Sequence, residues 1–194
     1  MAKDVFKGRT KNLDKLIAYH EAGHALMAFY KGCKFMCVIM DIILPGTTLD
    51  GDSGVIKPNW PFIKGTRKNR GLFLLAGMSA VAILQKNPDA YRNKGNQSDF
   101  NEFSKLWPTK KIGLAKWHIL YPEAIDFLVQ PTVWKQVEVV AITLMKKRRL
   151  LYDEVQLCIE SVIDKERKRD YETYMKLTDT KHHHRKSRMW KIPQ

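Results

Sequence analysis

The positions of the apolar residues predict a domain built mainly from helices. Near the N-terminus, apolar side chains and two histidines recur at steps of three and four residues, namely at Leu13, Leu16, Ile17, His20, His24 and Met27. This spacing is typical of an amphipathic helix that buries one face. Thr10 can cap the start of the helix, and Gly32 can end it. Both histidines are therefore expected in the middle of a helix, on its buried side.

A short β element is predicted next. The run from Phe35 to Leu44 is apolar and rich in β-branched residues, and Ser53 to Lys57 is a second, shorter strand signal. The residues between them, 45–52, are dense in turn formers. We therefore expect the two segments to pair as a small antiparallel hairpin or ribbon.

Helical patterns dominate the chain from residue 70 onward. The expected helices run from about Arg70 to Gln85, Ser98 to Trp107, Pro122 to Val129, Thr132 to Leu150 and about Glu154 to Ile163. Asn87 and Pro88 end the first of these, and the polar segment Asp89 to Gln97 is expected to be a loop. The helix from Thr132 is predicted to bury Val133, Val137, Val140, Ile142 and Leu144. The predicted fold class is thus mainly α with a small β element.

The composition changes at Asp164, where apolar residues become sparse and charges alternate. The sequence is therefore divided into a predicted domain, residues 1–163, and a charged helical extension with a basic tail, residues 164–194. Nothing in the sequence fixes the geometry of the three adjacent histidines His182 to His184, so they are expected to be solvated rather than to form a second metal site. Residues 181–194 are accordingly predicted to be dispensable for folding and for zinc binding.

The chain is strongly basic, with a formal charge of +14 over 194 residues. Such an excess favours acidic partners such as nucleic acid or an anionic membrane surface, although it also serves solubility alone. No nucleic-acid-reading motif accompanies the charge. Weak polyanion binding through the basic surface and tail therefore stays open, while the apolar content of 44% excludes a chain disordered throughout.

The cysteines and the apolar runs indicate the cellular compartment in which the protein is expected. Cys33, Cys37 and Cys158 form no paired framework, and the N-terminus lacks the apolar region of a secretory signal. The longest apolar run, Gly71 to Leu84, is shorter than the ~20 residues that a membrane span needs, and it is predicted to be a buried helix. We expect a soluble, cytoplasmic protein with buried thiols and no membrane span.

The candidate chemistry lies in the sequence His-Glu-Ala-Gly-His at residues 20–24. Two histidines four residues apart on a helix point the same way, so the imidazoles of His20 and His24 can bind one zinc ion. Glu21 then stands where a zinc-dependent hydrolase needs a carboxylate to act on water. The alternative is a pair of core histidines satisfied by hydrogen bonds, but Glu21 would be a poor choice on a buried helix without a metal.

A catalytic zinc site needs a third protein ligand. His118 has no supporting pattern around it, which favours a structural role. The acidic candidates include Asp41, Asp50, Asp52, Asp89, Asp99 and Glu102. Their spacing along the chain does not choose among them.

The segment Ala18 to Leu26 resembles the signature of the FtsH-type zinc metallopeptidase domain. Weaker similarities follow in the family's order over roughly residues 10–163, namely Phe35 to Ile56, Leu75 to Ala80 and Val139 to Val155. The family's third zinc ligand is the aspartate of Gly-Ala-x-x-Asp-Leu, and Gly95 to Phe100 occupies that place here. The resemblance therefore implies an FtsH-like helical peptidase domain in which Asp99 is the third ligand.

The sequence also departs from the family's pattern. The arginine and glutamates that follow Gly-Gly in the family are replaced by Met78, Ser79, Val81 and Ala82. Those family residues are expected to serve packing or contacts between subunits, so a homo-oligomer stays open. The sequence contains no phosphate-binding loop and no membrane anchor. It is therefore expected to be a peptidase domain standing alone, without the AAA+ ATPase module and without use of ATP.

The expected function is a zinc-dependent endopeptidase that hydrolyses unfolded or flexible protein segments, with Glu21 as the general base. The alternative is a regulatory or binding protein on a zinc peptidase scaffold, which would use its basic surface to bind nucleic acid or a protein partner. A third hypothesis combines the two as a peptidase that cleaves a repressor near DNA. The intact Glu21 favours an enzyme, because a structural zinc ion has no use for a general base.

Overall fold

The computed structural model describes residues 11–40, 55–58, 67–89 and 97–186. Within these ranges the helices are α1 (Lys11–Tyr30), α2 (Arg67–Gln85), α3 (Gln97–Lys105), α4 (Lys110–Leu128), α5 (Pro131–Lys147) and α6 (Tyr152–Lys186). The strands are β1 (Phe35–Ile39), β2 (Val55–Pro58) and β3 (Arg149–Leu151). The predicted fold class, mainly α with a small β element, is confirmed.

Several predictions from the sequence lie outside the described residues. They are the cap at Thr10, the end of the first strand with the turn after it, residues 90–96 of the loop predicted at Asp89 to Gln97, and the last eight residues, 187–194. Gly32 does end the first helical region as predicted, with a left-handed φ of 68°.

The three described strands form one antiparallel sheet in the order β2-β1-β3. β1 and β2 pair as predicted, with Val38 opposite Ile56. The pairing of β1 with β3 places Leu150 on the other side of Val38. β3 is a correction, since its first two residues were expected at the end of the helix that begins at Thr132.

The backbone at Arg148 explains why this helix ends early. Arg148 has a left-handed φ of 64°, and its N–H donates to the carbonyl of Leu144, which closes α5. The carbonyl of Arg148 then accepts a hydrogen bond from the N–H of Met40, just past β1. The chain therefore leaves the helix directly into the sheet, and Ile142, predicted to be buried, lies exposed on α5.

One helix is longer than its sequence pattern predicted. α4 begins at Lys110, where the side chain of Thr109 accepts a hydrogen bond from the N–H of Ile112, and it continues through Pro122. The prediction began this helix at Pro122 because its first half carries apolar residues on more than one face. The helical extension predicted after Asp164 is present, and it continues the preceding helix without a break, since α6 runs from Tyr152 to Lys186.

The core lies around α1, which packs against α2 and α5, while α4 covers the far side of α2. The approach of α1 to α2 is close because small residues meet there. A Cβ atom added at Gly23 would lie 2.5 Å from the carbonyl oxygen of Ala76 and 2.8 Å from the Cβ of Ala80. Gly23 is therefore required for this contact, and it lies between the two histidines of the motif.

The remaining predictions concern burial and membranes. Cys33 and Cys37 are buried thiols as predicted, and Cys158 is partly buried. Leu13, which was assigned to the inward stripe of α1, is exposed in the first turn of the helix. Over the described ranges, no helix combines the length with the apolar character that crossing a bilayer would require.

Candidate metal centre

Three side chains from two helices converge beside the contact of α1 with α2. His20 and His24 project from successive turns of α1, and their Nε2 atoms are 3.0 Å apart. Asp99, in the first turn of α3, places its Oδ2 atom 2.9 Å from Nε2 of His20 and 3.0 Å from Nε2 of His24. The three potential ligand atoms thus form a nearly equilateral triangle.

This triangle is a few tenths of an ångström smaller than the one that three ligands form around a tetrahedral zinc ion. Zinc binds imidazole nitrogen and carboxylate oxygen at about 2.0–2.2 Å, which separates neighbouring ligands by about 3.3 Å in a tetrahedron. An ion above the plane of the three atoms would need only a slight outward shift of each side chain. Two nitrogens and one oxygen with a fourth position left over are the donor set of a catalytic rather than a structural zinc site.

The orientation of His24 is determined by α2. Its Nδ1 atom lies 2.7 Å from the carbonyl oxygen of Phe73, and its ring also packs on the Phe73 ring. A carbonyl can only accept, so Nδ1 must donate its proton there, which in a neutral imidazole leaves the lone pair on Nε2. That lone pair points at Asp99, which is itself an acceptor. Either a proton or a cation must therefore lie between them, and metal sites commonly orient a histidine through its second nitrogen in this way.

The charges of the site are coupled. Burial alone would lower the pKa of His24, but the charge and hydrogen bond of Asp99, with help from Glu21, raise this pKa from 6.5 to about 9. Burial would raise the pKa of Asp99, but the two histidines outweigh that effect and hold its pKa well below the usual range. The site therefore keeps a negative carboxylate and favours a positive charge beside it.

The space for an ion is kept free by Gly77 on α2. A Cβ atom added at Gly77 would lie 2.7 Å from Nε2 of His20 and would clash with Nε2 of His24. A methyl group there would fill the place on which the two imidazole nitrogens converge. The residues present therefore fit a zinc ion, and Gly77 is a site residue for which the sequence analysis named no role. The only indication of Gly77 in the sequence was its position within Leu75 to Ala80, a stretch similar to the FtsH-type family.

Glu21 is buried next to this cluster. Only 5% of the residue is exposed, although it is an acidic residue, and its charge contributes to the raised pKa of His24. Charged residues are seldom buried this far unless another charge or a metal ion compensates them. Its position in the motif and its burial near His24 both suit a carboxylate that acts inside the site.

The site opens on the side of His20 and Asp99. Their side chains are 15% and 17% exposed, against 5% for His24. His24 therefore lies at the closed end of the site, where Phe73 and Gly77 pack against it. Solvent therefore reaches the three potential ligand atoms past His20 and Asp99, which are the more exposed of the three side chains.

The structure separates the candidates that spacing left open. Within the described ranges, His20, His24 and Asp99 form the one group of three or more His, Cys, Asp or Glu side chains that could hold a metal ion. His118 lies exposed on α4, and Asp89 and Glu102 are not part of the cluster. The other acidic candidates, at positions 41, 50 and 52, lie outside the described residues, as do the side chains of His182 to His184.

No protein-family model matches this chain, and no curated protein matches it either. The resemblance to FtsH-type peptidases therefore stays a prediction.

Proposed function

We propose that this chain is a zinc-dependent endopeptidase in which His20, His24 and Asp99 bind the metal and Glu21 is the general base. The observation that carries the proposal is the convergence of the three ligand atoms, 2.9 to 3.0 Å from one another, at a His-Glu-x-x-His helix whose Glu21 is buried and acts electrostatically on His24. We propose the FtsH-type relationship on the same residues.

The proposed mechanism assigns a separate task to each side chain. Zinc, when bound, lowers the pKa of a water molecule to about 7 in favourable sites and polarises a carbonyl oxygen. Asp99 contributes the negative charge that keeps the ion in place, and the hydrogen bond from His24 to Phe73 fixes the imidazole that faces it. Glu21 takes the proton from the attacking water and passes it to the leaving amine.

The substrate class is proposed to be unfolded or flexible protein segments. Among the described strands, β2 pairs only with β1, so it lies at an edge of the sheet. An extended peptide can add to such an edge through backbone hydrogen bonds, a common mode of peptide binding. We propose that β2 binds the substrate in this way.

The test compares Glu21→Gln with wild type for zinc content and for hydrolysis of casein. Glutamine nearly matches the shape of glutamate but cannot accept the proton, so hydrolysis should fall by about two to four orders of magnitude while zinc stays bound. Glu102→Gln is the matched control, because Glu102 is an exposed carboxylate on α3 that pairs only with Lys105 in the described structure.

Three outcomes would separate the hypotheses. Zinc binding with full hydrolysis in Glu21→Gln would identify another residue as the base. Zinc binding without any hydrolysis by the wild-type protein would favour the regulatory or binding protein on a peptidase scaffold. A wild-type protein that binds no zinc, with His20→Ala indistinguishable from it, would contradict the metal site itself.

A further inference from the structure

The outer face of α4 differs from the outer faces of ordinary surface helices. Eight exposed residues form this outer face, and one further residue on the same side, Ile125, is partly buried; the eight are Lys111, Ile112, Leu114, Ala115, His118, Ile119, Pro122 and Asp126. With 3.6 residues per turn, they cover an arc of about 160° of the helix. The opposite face is buried against the body through residues that include Trp117 and Leu120.

Most of this outer face is apolar. Ile112, Leu114, Ala115, Ile119 and Pro122 make up five of its eight positions, and Leu114 and Ile119 are 57% and 59% exposed. A helix with one buried face normally carries polar residues on the other, and a helix that is apolar on both faces is usually buried on both. No described element packs over this face, so we expect a partner to cover it.

The charged residues of the face lie at its two ends and carry opposite signs. Lys111 lies seven residues before His118, and Asp126 lies seven residues after Ile119, so the two charges are symmetrically placed about the midpoint of the face. Neither side chain forms an ion pair with another residue in the described ranges.

The direction of these charges is unfavourable within α4 itself. The N-terminal end of a helix favours negative side chains and the C-terminal end favours positive ones. α4 begins with Lys110 and Lys111 and has no acidic residue in its first turn, while Asp126 lies near its C-terminus. An antiparallel helix placed alongside would reverse this relation, because its C-terminal end would lie next to Lys111.

We propose that this face of α4 binds the same face of a second copy of the chain, antiparallel, about a two-fold axis between His118 and Ile119. The symmetry of such a contact places Lys111 opposite Asp126 of the second copy, and it does so twice. The same operation buries the apolar middle of each helix against that of the other, with Ala115 opposite Pro122 of the second copy. Association with the second copy thus buries the apolar surface and pairs the charges.

The dimer is expected to be weak. One pair of helices buries less than the roughly 1,600 Å² of a standard interface, so association should depend on concentration in the micromolar range. The contact does not involve the metal site, so this inference is independent of the proposed function.

Sedimentation of the full chain from about 1 to about 500 μM should show a monomer–dimer equilibrium. Ile119→Lys places two charges beside the axis and should weaken association about a hundredfold or more. Leu157→Lys is the control, because Leu157 is similarly exposed, at 64%, but lies on α6. The proposal would be overturned if the wild-type chain were monomeric at every concentration, or if Ile119→Lys associated as tightly as wild type. Either result would mean that another partner covers this face.

Charge reversal tests the antiparallel register. Lys111→Asp alone places like charges opposite Asp126, and Asp126→Lys alone places like charges opposite Lys111, so each should weaken the dimer by about tenfold. The double variant exchanges the signs and should restore most of the wild-type association. A dimer in any other register is not expected to recover in the double variant. A double variant that associates as weakly as the two single variants would contradict the antiparallel register proposed here.

Discussion

The contact between α1 and α2 and the packing of α6 differ in the size of the side chains that meet. α1 and α2 approach through Gly23, Ala76 and Ala80, with Gly77 directly below the histidines. α6 instead contributes Val155, Ile159 and Val162 to the core. Its contact with α5 is bordered by ion pairs such as Lys147–Glu154.

The difference separates a region whose close spacing matters to the proposed site from a region that contributes to stability. Larger side chains at the α1–α2 contact would bury more apolar surface, but they would push the helices apart and fill the space next to the histidines. The packing of α6 has no such restriction and uses branched side chains that fill volume. Added atoms should therefore damage the first region, and removed atoms should damage the second.

Gly77→Ala is expected to have the largest effect. The new methyl group would overlap the imidazole nitrogens of His20 and His24, so zinc affinity should fall by about a thousandfold or more. Overpacking should also cost about 1–3 kcal/mol of stability. Zinc titration and thermal unfolding would measure the two effects.

The control for this variant is Gly113→Ala. A Cβ atom at Gly113 meets nothing closer than 3.5 Å, at Trp107, so this helical glycine can accept a methyl group without loss of zinc. If Gly77→Ala bound zinc as tightly as Gly113→Ala, the special role of the α1–α2 contact would be refuted.

Ile159→Ala tests the other region. Ile159 is fully buried on α6, and its truncation should cost about 3 kcal/mol in the free energy of unfolding. Zinc affinity measured well below the melting temperature should not change, since α6 contributes no ligand. A large loss of zinc affinity in this variant would show that the two regions are energetically coupled, contrary to the comparison.

The pH dependence of zinc affinity should arise at the site and should be a smaller effect. His24 must be neutral to bind zinc, and its pKa in the metal-free protein is raised to about 9. Zinc affinity should therefore rise about tenfold per pH unit from pH 7 toward 9, with about one proton released per ion. Calorimetry in buffers of different ionisation enthalpy measures this release, and an affinity independent of pH over that range would contradict the charge coupling.

The metal-free protein should show the opposite trend in stability. The pKa of His24 is higher in the folded state than its ordinary value of 6.5, so its contribution is complete below pH 6.5 and is lost as the pH rises through about 9. The pKa of Asp99 is lowered, so its contribution is present above about pH 4 and is lost on acidification. Unfolding curves with and without zinc should therefore diverge most on the alkaline side.

Truncation after Thr180 should have the smallest effect. Residues 181–194 are rich in Lys, Arg and His and contain few apolar residues, so neither zinc content nor thermal stability should change. Lost stability would show that this segment docks on the body. Lost hydrolysis at unchanged stability would indicate a role in substrate recruitment, and any polyanion binding that remains should weaken steeply with salt.

The features that depend only on local periodicity were predicted correctly. His20 and His24 share a helix face because four residues make about one turn, and this relation needs no tertiary information. The helices at Lys11–Tyr30 and Arg67–Gln85 follow from the same periodicity. Asp99 was different, because it is 75 residues away from His24 and only the order of motifs in a resembling family selected it among the acidic residues.

What local patterns missed was decided by contacts between distant segments. β3 exists because Leu150 pairs with Val38, and the sequence around it reads as a continuation of a helix. The first half of α4 was missed because its outer face is apolar, which blurs the 3.6-residue period.

The sequence by itself determined the helical class, the two histidines on one face and the glutamate beside them, because these depend on residues within one or two turns of each other. Only the tertiary structure decided that Asp99 meets both histidines, that Phe73 orients His24 and that Gly77 leaves room for an ion. Each of these depends on how closely separate helices approach, and the volumes of side chains far apart in the chain set that distance.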